Sequence, residues 1–136
     1  MATNRTEQYG LHLWEPGDDF LREEFNENFS RLDLSARVVS GSYTGNGAAG
    51  QHIELGFWPA SVLAAREDGE ITVSLSRTGY GGLALRDRPV KLSVNDQDTV
   101  VAVDPSGFTV FSRESSNQSP RGNQSGVRYH FLAVQG

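Results

Sequence analysis

Residues 71–76 read ITVSLS and residues 90–95 read VKLSVN. In both stretches an apolar residue alternates with a polar one, which is the period of a β-strand with one face on a core and the other in water. Residues 127–134, VRYHFLAV, alternate similarly, but Leu132 and Val134 make this last strand apolar on both faces near its end. We therefore expect the last strand to be buried or to lie at an interface.

Turn residues divide the rest of the chain into short strands. Further strands are expected near residues 37–43, 51–57, 61–66, 99–104 and 107–112. The clearest turn is residues 104–107, DPSG, with proline and glycine where a type I turn favours them. This pattern predicts a mainly β chain, with an antiparallel β-sandwich over residues 37–136. Residues 112–126, SRESSNQSPRGNQSG, contain no apolar residue and are expected to form a mobile loop.

A helical period precedes the strands. Asp18 or Asp19 can cap a helix, and the segment 18–36 is expected to be helical from residue 19 onward. Its apolar residues at spacings of four, three and four are Phe25, Phe29, Leu32 and Ala36. This is the seam spacing of a coiled coil, but it is too short to hold a helix alone. We expect the helix to oligomerise, as a trimer or a dimer; the alternative is an amphipathic helix packed on its own domain.

Residues 1–17 are polar around one short apolar patch. The patch consists of Tyr9, Leu11, Leu13 and Trp14. Pro16 and Gly17 close the segment, which predicts an extended arm that docks on another surface.

The composition excludes several classes of protein. The chain has 136 residues, a net charge of −5 and no dense Lys/Arg cluster, so we do not expect it to bind nucleic acid. It contains no cysteine, which excludes disulfides and thiolate metal sites. No signal peptide or membrane-spanning run is visible, so membrane insertion is not expected either.

No motif predicts an active site, a cofactor or a metal ion. Residues 45–50, GNGAAG, fit a dinucleotide-binding pattern, but a strand-like stretch follows them instead of a helix, so we interpret them as a turn. His12, His52 and His130 are expected at the surface. The acidic residues of the β-region lie in turns, where their pKa values should stay ordinary. No arrangement of Ser, His and acid stands out, and we expect a protein that is not an enzyme.

Some aromatic and cationic side chains are candidates for contact with a sugar. Aromatic faces stack on pyranose rings, and Arg or His donors reach hydroxyl groups. The candidates are Trp58, Tyr80, Arg86, Arg113, Arg121, Arg128 and His130. Each also has a structural interpretation, because a Trp beside a proline suits a strand corner and exposed arginines are usually solvated.

Two sets of residues resemble a known family. The first set comprises residues 8–11, QYGL, 14–20, WEPGDDF, 24–29, EFNENF, and 32–33, LD. It resembles the opening of short tail-fibre-like proteins from phages and prophages of Gram-positive bacteria. The second set comprises residues 41–47, GSYTGNG, 53–63, IELGFWPASVL, 107–110, GFTV, and 129–133, YHFLA. It resembles the β-domain at the ends of phage tail fibres, whereas residues 64–106 match by pattern only.

The resemblance implies a homotrimeric fibre tip or appendage with a sandwich like that of the H-type lectins. Its partners would be other tail or baseplate proteins, and the resemblance allows a host-surface glycan as ligand. The protein would then belong to the tail of a virion, a tailocin or an injection particle, assembled in the bacterial cytoplasm without a signal peptide. A stand-alone carbohydrate-binding lectin, a small polysaccharide depolymerase and a purely structural cap remain as alternatives.

Overall fold

The computed structural model describes residues 1–33, 37–73, 76–114 and 118–136. Ala36 of the predicted seam and residues 74–75 of the predicted strand lie outside these ranges. The described chain is mainly β with one α-helix, which confirms the predicted fold class. It divides into two compact units, residues 1–36 and residues 37–136. Within the described ranges, no helix has both the length and the apolar character that a membrane crossing requires.

The first unit is a hairpin followed by a helix. Its elements are β1 (Asn4–Arg5), β2 (His12–Leu13) and α1 (Arg22–Asp33). The prediction of an extended arm is wrong, because β1 and β2 pair antiparallel. The chain reverses at Gly10, whose φ of 65° is readily adopted by glycine and whose amide donates to the Thr6 carbonyl at 3.1 Å.

The helix begins at Arg22 and not at residue 19 as predicted. The Asp18 carboxylate is not its cap, since it accepts hydrogen bonds from the Glu15 amide at 2.7 Å and the Thr3 hydroxyl at 2.7 Å. These bonds lower the pKa of Asp18, with the Glu15 amide as the largest cause. Aspartate binds nearby backbone amides in turns as readily as at helix ends, so Asp18 stabilises the turn before α1.

The second unit contains the remaining strands of the described chain. They are β3 (Arg37–Thr44), β4 (Gly50–Glu54), β5 (Pro59–Arg66), β6 (Thr72–Val73), β7 (Thr78–Gly79), β8 (Gly82–Leu85), β9 (Val90–Lys91), β10 (Thr99–Asp104), β11 (Gly107–Phe111), β12 (Ser119–Pro120) and β13 (Arg128–Gln135). One antiparallel sheet has the order β3-β13-β5-β8 and another has the order β4-β11-β10-β9. A small third sheet has the order β12-β7-β6, and its β12-β7 pair is parallel.

The core of the second unit combines buried residues of both four-stranded sheets. Tyr43 and Tyr129 stack with ring centroids 4.9 Å apart, and Phe108 meets Phe131 edge-on at 5.0 Å. The other buried apolar residues of this cluster are Val62, Ala64, Ala84, Val100, Val101, Val110 and Ala133. Burial raises the pKa of Tyr43, whose hydroxyl donates to the Gly122 carbonyl at 2.8 Å. The core therefore fixes which face of each strand points outward.

Two sequence predictions about the β-region are wrong in detail. The strand expected over residues 90–95 stops at Lys91, and Val94 is 94% exposed because the chain turns at Ser93, whose hydroxyl accepts from the Asn95 amide at 3.1 Å. The segment 112–126 is not a mobile loop where it is described. It contains β12 and a fully buried Asn123, whose side chain donates to the Ala48 carbonyl at 3.0 Å.

Candidate functional site

The predicted seam residues of α1 lie at the protein surface. Phe25, Phe29 and Leu32 are 41, 57 and 45% exposed, although all three are large and apolar. A helix face that packed in its own core would be mostly covered. The described part of the seam therefore presents partly exposed apolar side chains at the protein surface.

Aromatic rings extend the seam beyond the helix. The ring centroids of Trp14 and Phe20 are 4.5 Å apart, those of Phe20 and Phe25 are 5.3 Å apart, and those of Phe25 and Phe29 are 4.8 Å apart. Such contacts hold the rings in a fixed arrangement. A shallow apolar groove of about 190 Å³ runs beside them and is lined by Leu11, Trp14, Phe25, Asn28, Phe29 and Leu32. We call this groove and its ring series the aromatic seam.

A polar contact between β2 and α1 holds the aromatic seam in place. The Nε2 atom of His12 is hydrogen-bonded to the Glu27 carboxylate, and the His12 amide donates to Asn28 Oδ1 at 2.6 Å. His12 is buried, so its predicted surface position is wrong. The bonds from His12, and next from Arg31, lower the pKa of Glu27 to about 2. The hairpin is therefore joined to the helix by side-chain hydrogen bonds as well as by packing.

Buried Glu24 makes a second contact between the hairpin and the helix. Its Oε2 atom accepts from the Ala2 amide at 2.8 Å and from Trp14 Nε1 at 3.1 Å. A buried carboxylate needs such donors, and here they orient the Trp14 ring toward the seam. Of the predicted docking-arm residues, Leu11 and Trp14 line the aromatic seam, whereas Tyr9 and Leu13 are exposed.

The candidate sugar contacts Trp58 and Arg86 lie together and have a structural role. The Arg86 guanidinium is 4.8 Å from the centre of the Trp58 ring. The same group donates to the Trp58 carbonyl at 2.5 Å and the Pro59 carbonyl at 3.0 Å. Arg86 therefore fixes the chain at the start of β5, which is the strand-corner arrangement considered for Trp58.

Tyr80 is also engaged within the chain. The Arg66 guanidinium is 4.1 Å from the centre of the Tyr80 ring, and it binds the Asp68 carboxylate at 2.7 Å. This pairing lowers the pKa of Asp68 to about 2, so the expectation of an ordinary value there is wrong.

Arg113 and Arg121 are brought together in one cleft of about 340 Å³. Its described lining is Gly47, Ser112, Arg113, Glu114, Pro120, Arg121, Gln124, Ser125 and Val127. Arg113 donates to the buried Asp98 carboxylate at 2.5 Å, whereas Arg121 approaches the exposed Glu114 only to 4.0 Å. Among the candidate contacts, Arg121 is therefore the one best placed to bind an acceptor group of a ligand.

The remaining candidates lie elsewhere on the second unit. Arg128 lines a neighbouring shallow pocket that shares Val127 with the cleft, whereas His130 points outward from β13. The seven candidates thus do not form a single site. The cleft with Arg121, bordered by Arg128, is the candidate ligand surface, and strand register and loop folding bring these residues together.

The structure contains a cluster of Ser, His and Asp side chains that the sequence did not predict. His52 Nε2 is 3.1 Å from the Ser106 hydroxyl, and His52 Nδ1 is 3.0 Å from Asp104 Oδ2. The register that pairs β4 with β11 brings these residues together, and their spacing in the sequence does not predict it. However, His52 Nε2 also contacts Glu54 Oε2 at 3.0 Å, and the Ser106 amide donates to Asp104 Oδ1 at 3.0 Å. The amide beside the hydroxyl is thus occupied and does not offer an oxyanion site.

Comparison with protein-family models, curated proteins and solved structures gives no match for this chain. Within the described ranges, no group of three or more His, Asp or Glu side chains is placed to hold a metal ion. The functional assignment therefore depends on the chain's own sequence and geometry.

Proposed function

We propose that this chain is a structural and receptor-binding component of a phage or phage-derived tail, and that it assembles as a homotrimer through the aromatic seam. The observation that carries the proposal is the exposure of Phe25, Phe29 and Leu32 on one face of α1. The resemblance of residues 8–33 to tail-fibre-like proteins supplies the tail assignment. Other tail or baseplate proteins are the proposed partners beyond the trimer.

The seam supplies part of the free energy that association requires. Burying the remaining half of each large apolar side chain contributes about 1 kcal/mol. Three such residues in each of three copies contribute on the order of 9 kcal/mol, whereas each of the two association steps that form a trimer costs about 4 to 15 kcal/mol in lost freedom. The seam therefore contributes to assembly, and a stable trimer requires a further interface.

The cleft that contains Arg121 is the proposed receptor-contacting surface, with a host-surface glycan as its ligand. Its polar lining and shallow depth suit hydroxyl-rich groups better than an apolar small molecule. Three copies would present three such clefts, and a weak contact in each is strengthened when all three bind the same surface. A stand-alone lectin shares this cleft, but it does not require the aromatic seam.

Cell binding tests this function directly. Fluorescent chain would be incubated with a panel of Gram-positive cells, and we expect binding to a subset of them. The double variant Phe25→Asp with Phe29→Asp should bind at least about tenfold more weakly because it loses avidity. Arg121→Ala should weaken binding without changing the mass of the assembly, whereas Arg88→Ala serves as a matched exposed control.

The same assay separates the alternatives. Cell-surface polysaccharide that becomes shorter during incubation would identify a depolymerase. Equal binding by the wild type and the double variant would identify a stand-alone lectin. A trimer that binds no cell and no glycan would leave only the structural role in the tail.

A further inference from the structure

The outer face of the sheet β3-β13-β5-β8 is apolar at its centre. Alternation along each strand points one set of side chains at the core and the other set outward. The outward set includes Val38, Leu63, Leu83, Leu85 and Leu132, which are 60, 41, 58, 40 and 42% exposed. We call these five residues the leucine face. Single exposed leucines are ordinary, but a contiguous apolar group marks an interaction surface.

The strand register makes the leucine face contiguous. Leu132 is paired with Leu63, and Leu63 is paired with Leu83, so three leucines lie side by side across three strands. In the adjoining row, Val38 is paired with Val134. Paired residues on one face have Cβ atoms about 5 Å apart, so their side chains form a continuous apolar strip. The strip explains why β13 is apolar on both faces near its end.

The charge around the leucine face favours contact between identical copies. The chain has a net charge of −5, but none of the outward residues of this sheet in the described ranges is acidic. Small polar residues such as Ser40, Ser42 and Ser61 surround the leucines, and Arg128 lies at one end. Two copies can therefore approach through this face without bringing carboxylates together.

The size of the face indicates what kind of partner it fits. With strands about 4.8 Å apart and about 3.3 Å per residue, the sheet presents roughly 450 Å². A stable interface usually buries about 800 Å² on each partner, so this face is small for an independent complex. A copy that is already joined through α1 can associate through a smaller buried area, because tethering raises its effective concentration to about the millimolar range. Only three residues separate α1 from β3 in the sequence.

We propose that the leucine face is a second self-association surface, which packs against the same sheet of other copies joined through the aromatic seam. The proposal rests on the proposed trimer. It supplies the additional apolar burial that the short seam requires, and it leaves the cleft that contains Arg121 to a different ligand.

Thiol labelling tests whether the leucine face is covered. The chain contains no cysteine, so Leu132→Cys and Leu83→Cys each place one reporter on the face, and Val94→Cys places a control at a 94% exposed position. In the assembled protein we expect maleimide to react at least about tenfold more slowly at the two face positions than at the control. Adding Phe25→Asp and Phe29→Asp should remove most of that protection.

Charge substitution tests the same surface by its effect on assembly. We expect Leu132→Lys to weaken self-association at least about thirtyfold in sedimentation velocity, since it leaves a charge buried and unpaired. Its melting temperature should fall by no more than about 3 °C when α1 already carries the double Asp substitution, because Leu132 is then solvent-exposed. Val94→Lys is the control for added charge.

The outcomes separate this inference from the proposed function. A stable trimer in which Leu132→Cys reacts as fast as Val94→Cys, and which Leu132→Lys does not weaken, overturns the leucine-face proposal and leaves the seam intact. A wild-type protein that remains monomeric overturns both proposals.

Discussion

His12 on β2 is hydrogen-bonded through Nε2 to the carboxylate of Glu27 on α1. The Glu27 carboxylate also accepts a bond from Arg31 at 3.0 Å, so one acidic group contacts His12 on one side and Arg31 on the other. This pair connects the hairpin to the helix that carries the aromatic seam. Protonation of Glu27 therefore reports on the integrity of the surface through which we propose that the chain assembles.

We expect the first unit to lose stability in acid. The pKa of Glu27 is lowered from 4.5 to about 2, so its contribution is present above pH 4.5 and is lost as the pH falls toward 2. The lowered pKa of Asp18 acts in the same direction. In a Trp58→Phe background Trp14 is the only tryptophan, and its fluorescence should change as the pH falls from 4.5 toward 2.

Glu27→Gln is the matched control for the acid transition. The amide has no carboxylate to protonate, so the variant should be less stable at neutral pH and should show a shallower change below pH 4.5. An identical pH profile for Glu27→Gln and its parent would show that the His12 contact does not govern the transition.

Gly45 is required for packing. A Cβ atom at this position would lie 2.0 Å from the Gln124 carbonyl oxygen, which is backbone and cannot move aside cheaply. Gly45→Ala should therefore lower the free energy of unfolding by about 2 to 3 kcal/mol in urea denaturation. At Gly50 the nearest atom is 3.5 Å away on the Phe111 ring, so Gly50→Ala should cost less than about 1 kcal/mol. Equal effects would contradict this assignment.

The Ser106, His52 and Asp104 cluster should not act as a catalytic triad. Because the Ser106 amide is bound to Asp104 and His52 is shared with Glu54, we expect no fluorophosphonate labelling above that of the unfolded chain. Stoichiometric labelling of Ser106 that His52→Ala abolishes, and that His130→Ala leaves unchanged, would contradict the expectation and reopen the enzyme alternative.

Several strands of the second unit were predictable from the sequence. Residues 99–104 form β10 as expected, and residues 37–43, 107–112 and 127–134 match β3, β11 and β13 to within about a residue at each end. The turn residues between them mark where most of these strands end, whereas alternation alone misplaced the strand expected over residues 90–95. The spacing of Phe25, Phe29 and Leu32 also predicted the helix that carries the seam.

The remaining features depend on contacts that are distant in sequence. The two-residue strands of the N-terminal hairpin are too short to show a period, so the arm was expected to be extended. Asn123 lies in a polar segment, and it is buried against Asn46 and Ala48, which precede it in the sequence by 77 and 75 residues. The cluster of His52 and Ser106 requires the register between β4 and β11, which a single sequence does not reveal.

Light scattering on the purified chain and on the double variant Phe25→Asp with Phe29→Asp measures whether the chain assembles through the aromatic seam. We predict a wild-type mass of about three times the 14.9 kDa of one chain, and a single-chain mass for the double variant with its β-unit still folded. A wild-type mass of one chain, or a double variant that remains a trimer, would contradict assembly through the aromatic seam.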